Sequence, residues 1–138
     1  MAALCSAVCR EPIATALFSS GISAVPIFTE GLLSRSIDFE TLSHETGSVE
    51  SARARLGALF AAADLHRHPV PARPDAAVII SGRRDGYVFP ETVASLHAHW
   101  LGSELRWLDT GHAGALVLNG ESLRAAARDA MKRLRARA

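Results

Sequence analysis

The sequence predicts an α/β fold with about three parallel strands, at residues 13–18, 76–81 and 104–108, flanked by helices. Three observations carry that prediction. Short apolar runs bounded by breakers alternate with segments of helical periodicity, which implies a parallel sheet with helices on both faces. The runs Ile13-Ala14-Thr15-Ala16-Leu17-Phe18 and Ala76-Ala77-Val78-Ile79-Ile80 are almost unbroken by polar residues, the pattern of strands buried on both sides. Asp85 and His112 each fall in a loop just after a strand, and ligands of such sheets bind at the carboxyl ends of the strands.

The elements follow in order. Residues 1–9 read as a helix, and Glu11-Pro12 breaks it. The first strand ends at Ser19-Ser20-Gly21. Residues 21–47 are irregular, with apolar patches at Val25-Pro26-Ile27-Phe28 and Gly31-Leu32-Leu33 that suit a short helix or a cap over a pocket. Gly47-Ser48 offers an N-cap. Val49, Ala52, Leu56, Leu59, Phe60 and Ala63 then recur at helical spacing as far as about His66. Pro69, Pro71 and Pro74 mark an extended connection into the second strand, which Ser81-Gly82 ends. Pro90 suits the first turn of the next helix. Val93, Leu96 and Trp100 give that helix its apolar stripe, and Gly102 stops it. Glu104-Leu105-Arg106-Trp107-Leu108 alternates as an edge strand does. A last helix from about Asn119 carries a stripe of Leu123, Ala127, Ala130, Met131 and Leu134. Its other face holds Arg124, Arg128, Lys132, Arg133, Arg135 and Arg137, expected as a solvated surface with cations at the favourable end of the helix.

The 138 residues set an expectation of one domain, and 49% hydrophobic against 21% charged residues is ordinary for a globular chain. A net charge of +1 gives no general attraction to nucleic acid, and no nucleic-acid partner is expected. No apolar run approaches the 18 or more residues of a membrane span. The start lacks the basic residues of a secretory signal, so the expected location is intracellular. Cys5 and Cys9 lie one helical turn apart without a second ligand pair, so two buried reduced thiols are expected and no metal. No glycine-rich phosphate loop follows a strand, and no cofactor is expected.

Asp85 and His112 fit acyl-transfer chemistry. There a histidine takes the proton of a nucleophilic hydroxyl and returns it to the leaving group, while a buried acid orients the imidazole. The gap between the two residues holds one helix and one strand, which sets them at adjacent strand ends. Gly82 and Gly86 allow a tight turn at Asp85, and Gly111 and Gly114 let the backbone near His112 approach a pocket. This is the acid-then-histidine order of an α/β-hydrolase. Asp109 is a rival acid but stands too close to His112 along the chain. It is expected to cap the turn at Thr110-Gly111. His44, His66, His68, His97 and His99 have no nameable partners and are expected in solvent. The nucleophile of such a site sits in Gly-x-Ser-x-Gly, which does not occur. Ser6 lies in the first apolar segment. Ser19, Ser20 and Ser23 follow the first strand without the elbow motif.

With these residues in view, the chain resembles the α/β-hydrolase domain-containing protein 18 family, a group of serine-hydrolase-like proteins. Pro12-Ile13-Ala14 and Gly31-Leu32-Leu33-Ser34-Arg35-Ser36-Ile37-Asp38-Phe39 look like the family's strand and the segment after it. Val78 through Asp85-Gly86-Tyr87-Val88-Phe89-Pro90 looks like its acid loop. Trp100, Gly102, Glu104 through Leu108, and Gly111-His112 look like its last strand and histidine loop. The resemblance implies the C-terminal portion of an α/β-hydrolase, with Met1-Ala2-Ala3-Leu4 standing just after the missing nucleophile. It implies Asp85 as triad acid, His112 as general base, and an ester or lipid acyl substrate. The first strand is then expected to lack its neighbour and to invite self-association. Two functions follow as expectations. One is part of a serine hydrolase that is inactive alone, and the other is a non-catalytic α/β interaction module.

Overall fold

The computed structural model describes residues 2–136. One sheet forms the centre, from β1 (Thr15–Phe18), β2 (Ala77–Gly82) and β3 (Glu104–Leu108), in the order β1-β2-β3 with both pairs parallel. Leu17 stands opposite Ile79, and Ile79 opposite Leu105. The expected strands are therefore present, and two differ in their ends. The first begins at Thr15 rather than residue 13, and the second runs from Ala77 to Gly82 rather than 76–81, because a turn of 3₁₀ helix over Pro74–Ala76 precedes it.

Each residue of β2 is buried, which explains its apolar run. Ala77 and Ile79 point to one side, where they join Leu17, Val93, Leu96 and Trp100. Val78 and Ile80 point to the other and meet Ala126 and Ala130. The first side is covered by α1 (Ala2–Val8) and α5 (Pro90–His99), the second by α7 (Gly120–Arg135). The stripe Val93, Leu96 and Trp100 is fully buried, as its spacing implies. Within α1 the Ser6 hydroxyl bonds that of Thr15 at 2.7 Å, in the interior. Ser6 thus ties α1 to β1.

Residues 21–47 are more regular than their composition suggests. They form α2 (Val25–Thr29), a 3₁₀ turn (Leu32–Ser36) and α3 (Phe39–Thr46). Gly47 closes α3 with φ of 88°, a conformation glycine adopts freely. Ser48 then caps α4 (Val49–Ala61), accepting the Ser51 N–H at 3.1 Å. The apolar face expected for α4 is corrected: Leu59 is 70% exposed and Ala63 is exposed, while Ala52 and Gly57 are buried. The reason is position. α4 packs on α2 and α3 instead of the sheet, with Phe28 stacked on Phe60 and Arg53 over the Phe39 ring. A small-residue face suits that close approach, and periodicity alone does not report which neighbour a helix meets.

The expected stripe of α7 shifts by one residue at one position. Ala126, not Ala127, is buried, and Met131 is exposed. Its basic face is also less free than expected. Arg133 pairs with Glu104 of β3, and Arg106 of β3 bridges Glu104 and Asp129. Arg124 and Arg128 share Glu121; Arg137 lies outside the described residues. Hydrogen bonding to Arg106, opposed by some burial, holds the Glu104 carboxyl below the usual glutamate range. The thiols are likewise not buried: Cys5 is exposed and Cys9 half-exposed, because the buried face of α1 consists of Ala3, Ser6 and Ala7.

Candidate active site

The carboxyl ends of β2 and β3 are fastened together by backbone. Arg83 donates to the Leu108 carbonyl at 2.9 Å and Arg84 to that of Thr110 at 3.1 Å. Gly82 makes this possible, since a Cβ there would overlap the Thr110 carbonyl oxygen. The two loops therefore lie against each other, and α6 (His112–Leu118) starts from the second. Gly82→Ala is expected to push them apart at a cost of about 1–3 kcal/mol. Chemical denaturation measures that loss.

Asp85 and His112 meet as their loops do. His112 Nδ1 donates to Asp85 Oδ2 at 2.8 Å. A carboxylate only accepts, so Nδ1 carries a proton, and in the neutral imidazole Nε2 presents a lone pair. Nε2 has no hydrogen-bond partner among the described residues. The Asp85 side chain is wholly buried, whereas that of His112 is one-third exposed. The other carboxylate oxygen, Oδ1, accepts the N–H groups of Tyr87 at 2.9 Å and Val88 at 3.0 Å. Asp85 is thus at once a turn former and the partner of a histidine, one oxygen for each. Burial pushes its carboxyl up. The hydrogen bonds from Val88, His112 and Tyr87, with a further contribution from Ser19, outweigh burial and hold it below the usual aspartate range.

The imidazole is flanked by Phe18 at the end of β1 and by Tyr87, with ring centroids 5.5 and 5.2 Å away. Leu32 covers the acid loop, its N–H bonded to the Gly86 carbonyl at 3.1 Å. Beside the end of β1 a cavity of about 290 Å³ is lined by Ser19, Ser20, Ser23, Ile27, Phe28 and neighbouring residues. Of the two apolar patches seen in the sequence, the first therefore reaches this cavity and the second lies on the acid loop.

The remaining candidates separate cleanly. Asp109 is exposed and pairs with Arg84 at 3.4 Å, so it is not a rival acid. Of the five other histidines, His44 and His66 are exposed as expected, while three have local hydrogen-bond partners that the sequence did not show. His66 bonds Asp64, His68 donates to the Ala62 carbonyl, and His97 bonds Ser103. The His99 ring contacts His66, with its Nε2 buried and unpaired among the described residues. No group of three His, Cys, Asp or Glu side chains among the described residues is arranged to hold a metal. No described helix is long and apolar enough to cross a membrane.

Ser19, seen in the sequence only as one of three serines after the first strand, has a backbone that the sequence does not announce. It is the only non-glycine residue with positive φ among the described residues, at 42°, a conformation that costs about 1–3 kcal/mol. Its signal was weak, namely serine followed by Ser20-Gly21 after a strand.

The three-stranded parallel sheet flanked by helices agrees with one comparison. Residues 43–133, more than half of the chain, match the family described as alpha/beta hydrolase domain containing 18. The chain belongs to this family. The matched stretch takes in β2, both loops, β3 and nearly all of α7, so Asp85 and His112 lie within the family region, while β1 and Ser19 precede it. No curated protein and no solved structure gives a significant match.

Proposed function

We propose that Asp85 and His112 are the acid and the general base of a serine-type acyl-hydrolase site that acts on an ester or lipid acyl bond. We further propose that the nucleophile is not among these 138 residues. The observation that carries the first part is the bond from His112 Nδ1 to a fully buried carboxylate, with Nε2 unengaged. Nε2 is the atom that takes the proton of an attacking hydroxyl. The cation formed there is stabilised by Asp85, which stays ionised because its other oxygen is held by two N–H groups. The second part rests on the absence of Gly-x-Ser-x-Gly from the sequence and on the absence of any hydrogen bond from a described serine to His112.

The purified chain is expected to show no turnover of short-chain p-nitrophenyl esters. Turnover that His112→Ala abolishes would place a working nucleophile inside the chain and overturn the second part. Sequencing the transcript upstream of Met1 for an in-frame Gly-x-Ser-x-Gly tests the same point independently.

The alternative reading, a non-catalytic interaction module, is favoured by one observation. β1 has no strand on its outer side among the described residues, and a small apolar groove formed with Leu123 and Ala126 runs along it. Such an edge is a template for another chain. Under this reading the chain self-associates in sedimentation velocity, and Asp85→Asn leaves that self-association unchanged.

A further inference from the structure

The carboxylate of Asp85 offers about four lone-pair sites. Three are filled: two on Oδ1 by Tyr87 and Val88, and one on Oδ2 by His112. The fourth, on Oδ2, has no assigned donor. Ser19 is the complementary case. It is 8% exposed, and its hydroxyl oxygen is buried with no hydrogen bond of normal geometry to any described residue. Its N–H is tied to the Ile80 carbonyl at 2.8 Å, which sets it beside the end of β2, where the acid loop starts. Its backbone is held at φ 42°, which a serine does not adopt without something to hold it there. A buried donor without an acceptor is costly.

Resting on the reading of Asp85 and His112 as acid and base, we propose that Ser19 is a positioning residue. Its hydroxyl donates to the open site on Oδ2 of Asp85 and adds a fourth bond to the three that set the carboxylate, keeping this oxygen towards Nδ1 of His112. The left-handed backbone at Ser19 is what aims the hydroxyl. A hydroxyl hydrogen rotates to suit an acceptor, and the Ser19 side chain contributes to holding the Asp85 carboxyl below the usual aspartate range. Because Ser19 also lines the cavity at the end of β1, the proposal joins that cavity to the acid through one residue.

Titration of the Asp85 carboxyl carbon by ¹³C NMR in the full chain tests this. Ser19→Ala keeps the backbone constraint and removes the donor. Ser19→Gly removes both, and glycine takes φ 42° without strain. If the hydroxyl is the agent, Asp85 becomes a weaker acid in both variants, by about tenfold in its ionisation constant. Ser19→Gly does so with an unchanged or raised melting temperature, which a merely structural role would not combine with a titration shift. If Asp85 titrates as in the parent in either variant, the proposal is wrong. The underlying pair has its own test, the tautomer of His112 in Asp85→Asn, so failure of one is not mistaken for failure of the other.

Discussion

Trp100→Ala is expected to destabilise the chain by about 3–5 kcal/mol, the loss typical of a large aromatic removed from a core. Trp100 is 0% exposed and packs with Leu17, Ile79, Val93 and Leu96, so it touches the sheet and α5 together. A domain is stable by only about 5–15 kcal/mol, and the described residues have three strands to share the core. The variant is therefore expected to lose cooperative unfolding at 37 °C, which denaturation followed by tryptophan-independent far-UV circular dichroism checks. A retained midpoint would show that α5 contributes little to holding the sheet.

The second large effect is at the site. In Asp85→Asn the two backbone donors, Tyr87 and Val88, require an oxygen at the Oδ1 position. That pins the amide oxygen there and leaves the NH₂ group facing His112. A donor now meets Nδ1, so the imidazole must accept and its proton moves to Nε2. The base loses its lone pair where a nucleophile would need it. In a site completed by a nucleophile, turnover is expected to fall by about 10⁴-fold. In the chain alone, ¹⁵N NMR of His112 reports the change directly: Nδ1–H in the parent, Nε2–H in the variant. An unchanged tautomer would sink the acid-and-base assignment.

The same carboxylate makes stability depend on pH. The pKa of Asp85 is lowered on folding, so its contribution is complete above the unfolded value of about 3.9 and is lost as pH falls through the folded value. Acidification from pH 6 to pH 3 is expected to lower the denaturation midpoint less in Asp85→Asn than in the parent. Glu104 and Asp129, which are also lowered by their arginine partners, supply the part of the acid effect that remains.

Much of this was legible along the chain. The strand at Ala77–Gly82 announced itself by an apolar run that only burial on both faces explains. The stripe Val93, Leu96 and Trp100 needed one neighbour, the sheet, and so its period was sufficient. Asp85 and His112 were visible because breakers and glycines mark the strand ends, and strand ends in a parallel sheet share one edge. The helix at Val49–Ala61 was legible in its start, but not in its end, expected near His66, nor in its facing, because it packs on other helices whose position no local pattern encodes. Cys5 failed for a similar reason: a short helix with few large residues does not say which face it buries.

The sequence by itself determined the three strands, the helices α1, α4, α5 and α7, and the edge at which Asp85 and His112 stand, though not α3 or α6. Those follow from local terms: residue propensity, the period of apolar side chains and the stiffness of turns. Only the tertiary structure decided the division of labour at Asp85, with one oxygen held by its own loop and the other by His112. It also decided the left-handed serine set beside that carboxylate. These depend on how closely three separate strand ends approach, and that distance is fixed by the packing of the sheet between its helices rather than by any residue's neighbours along the chain.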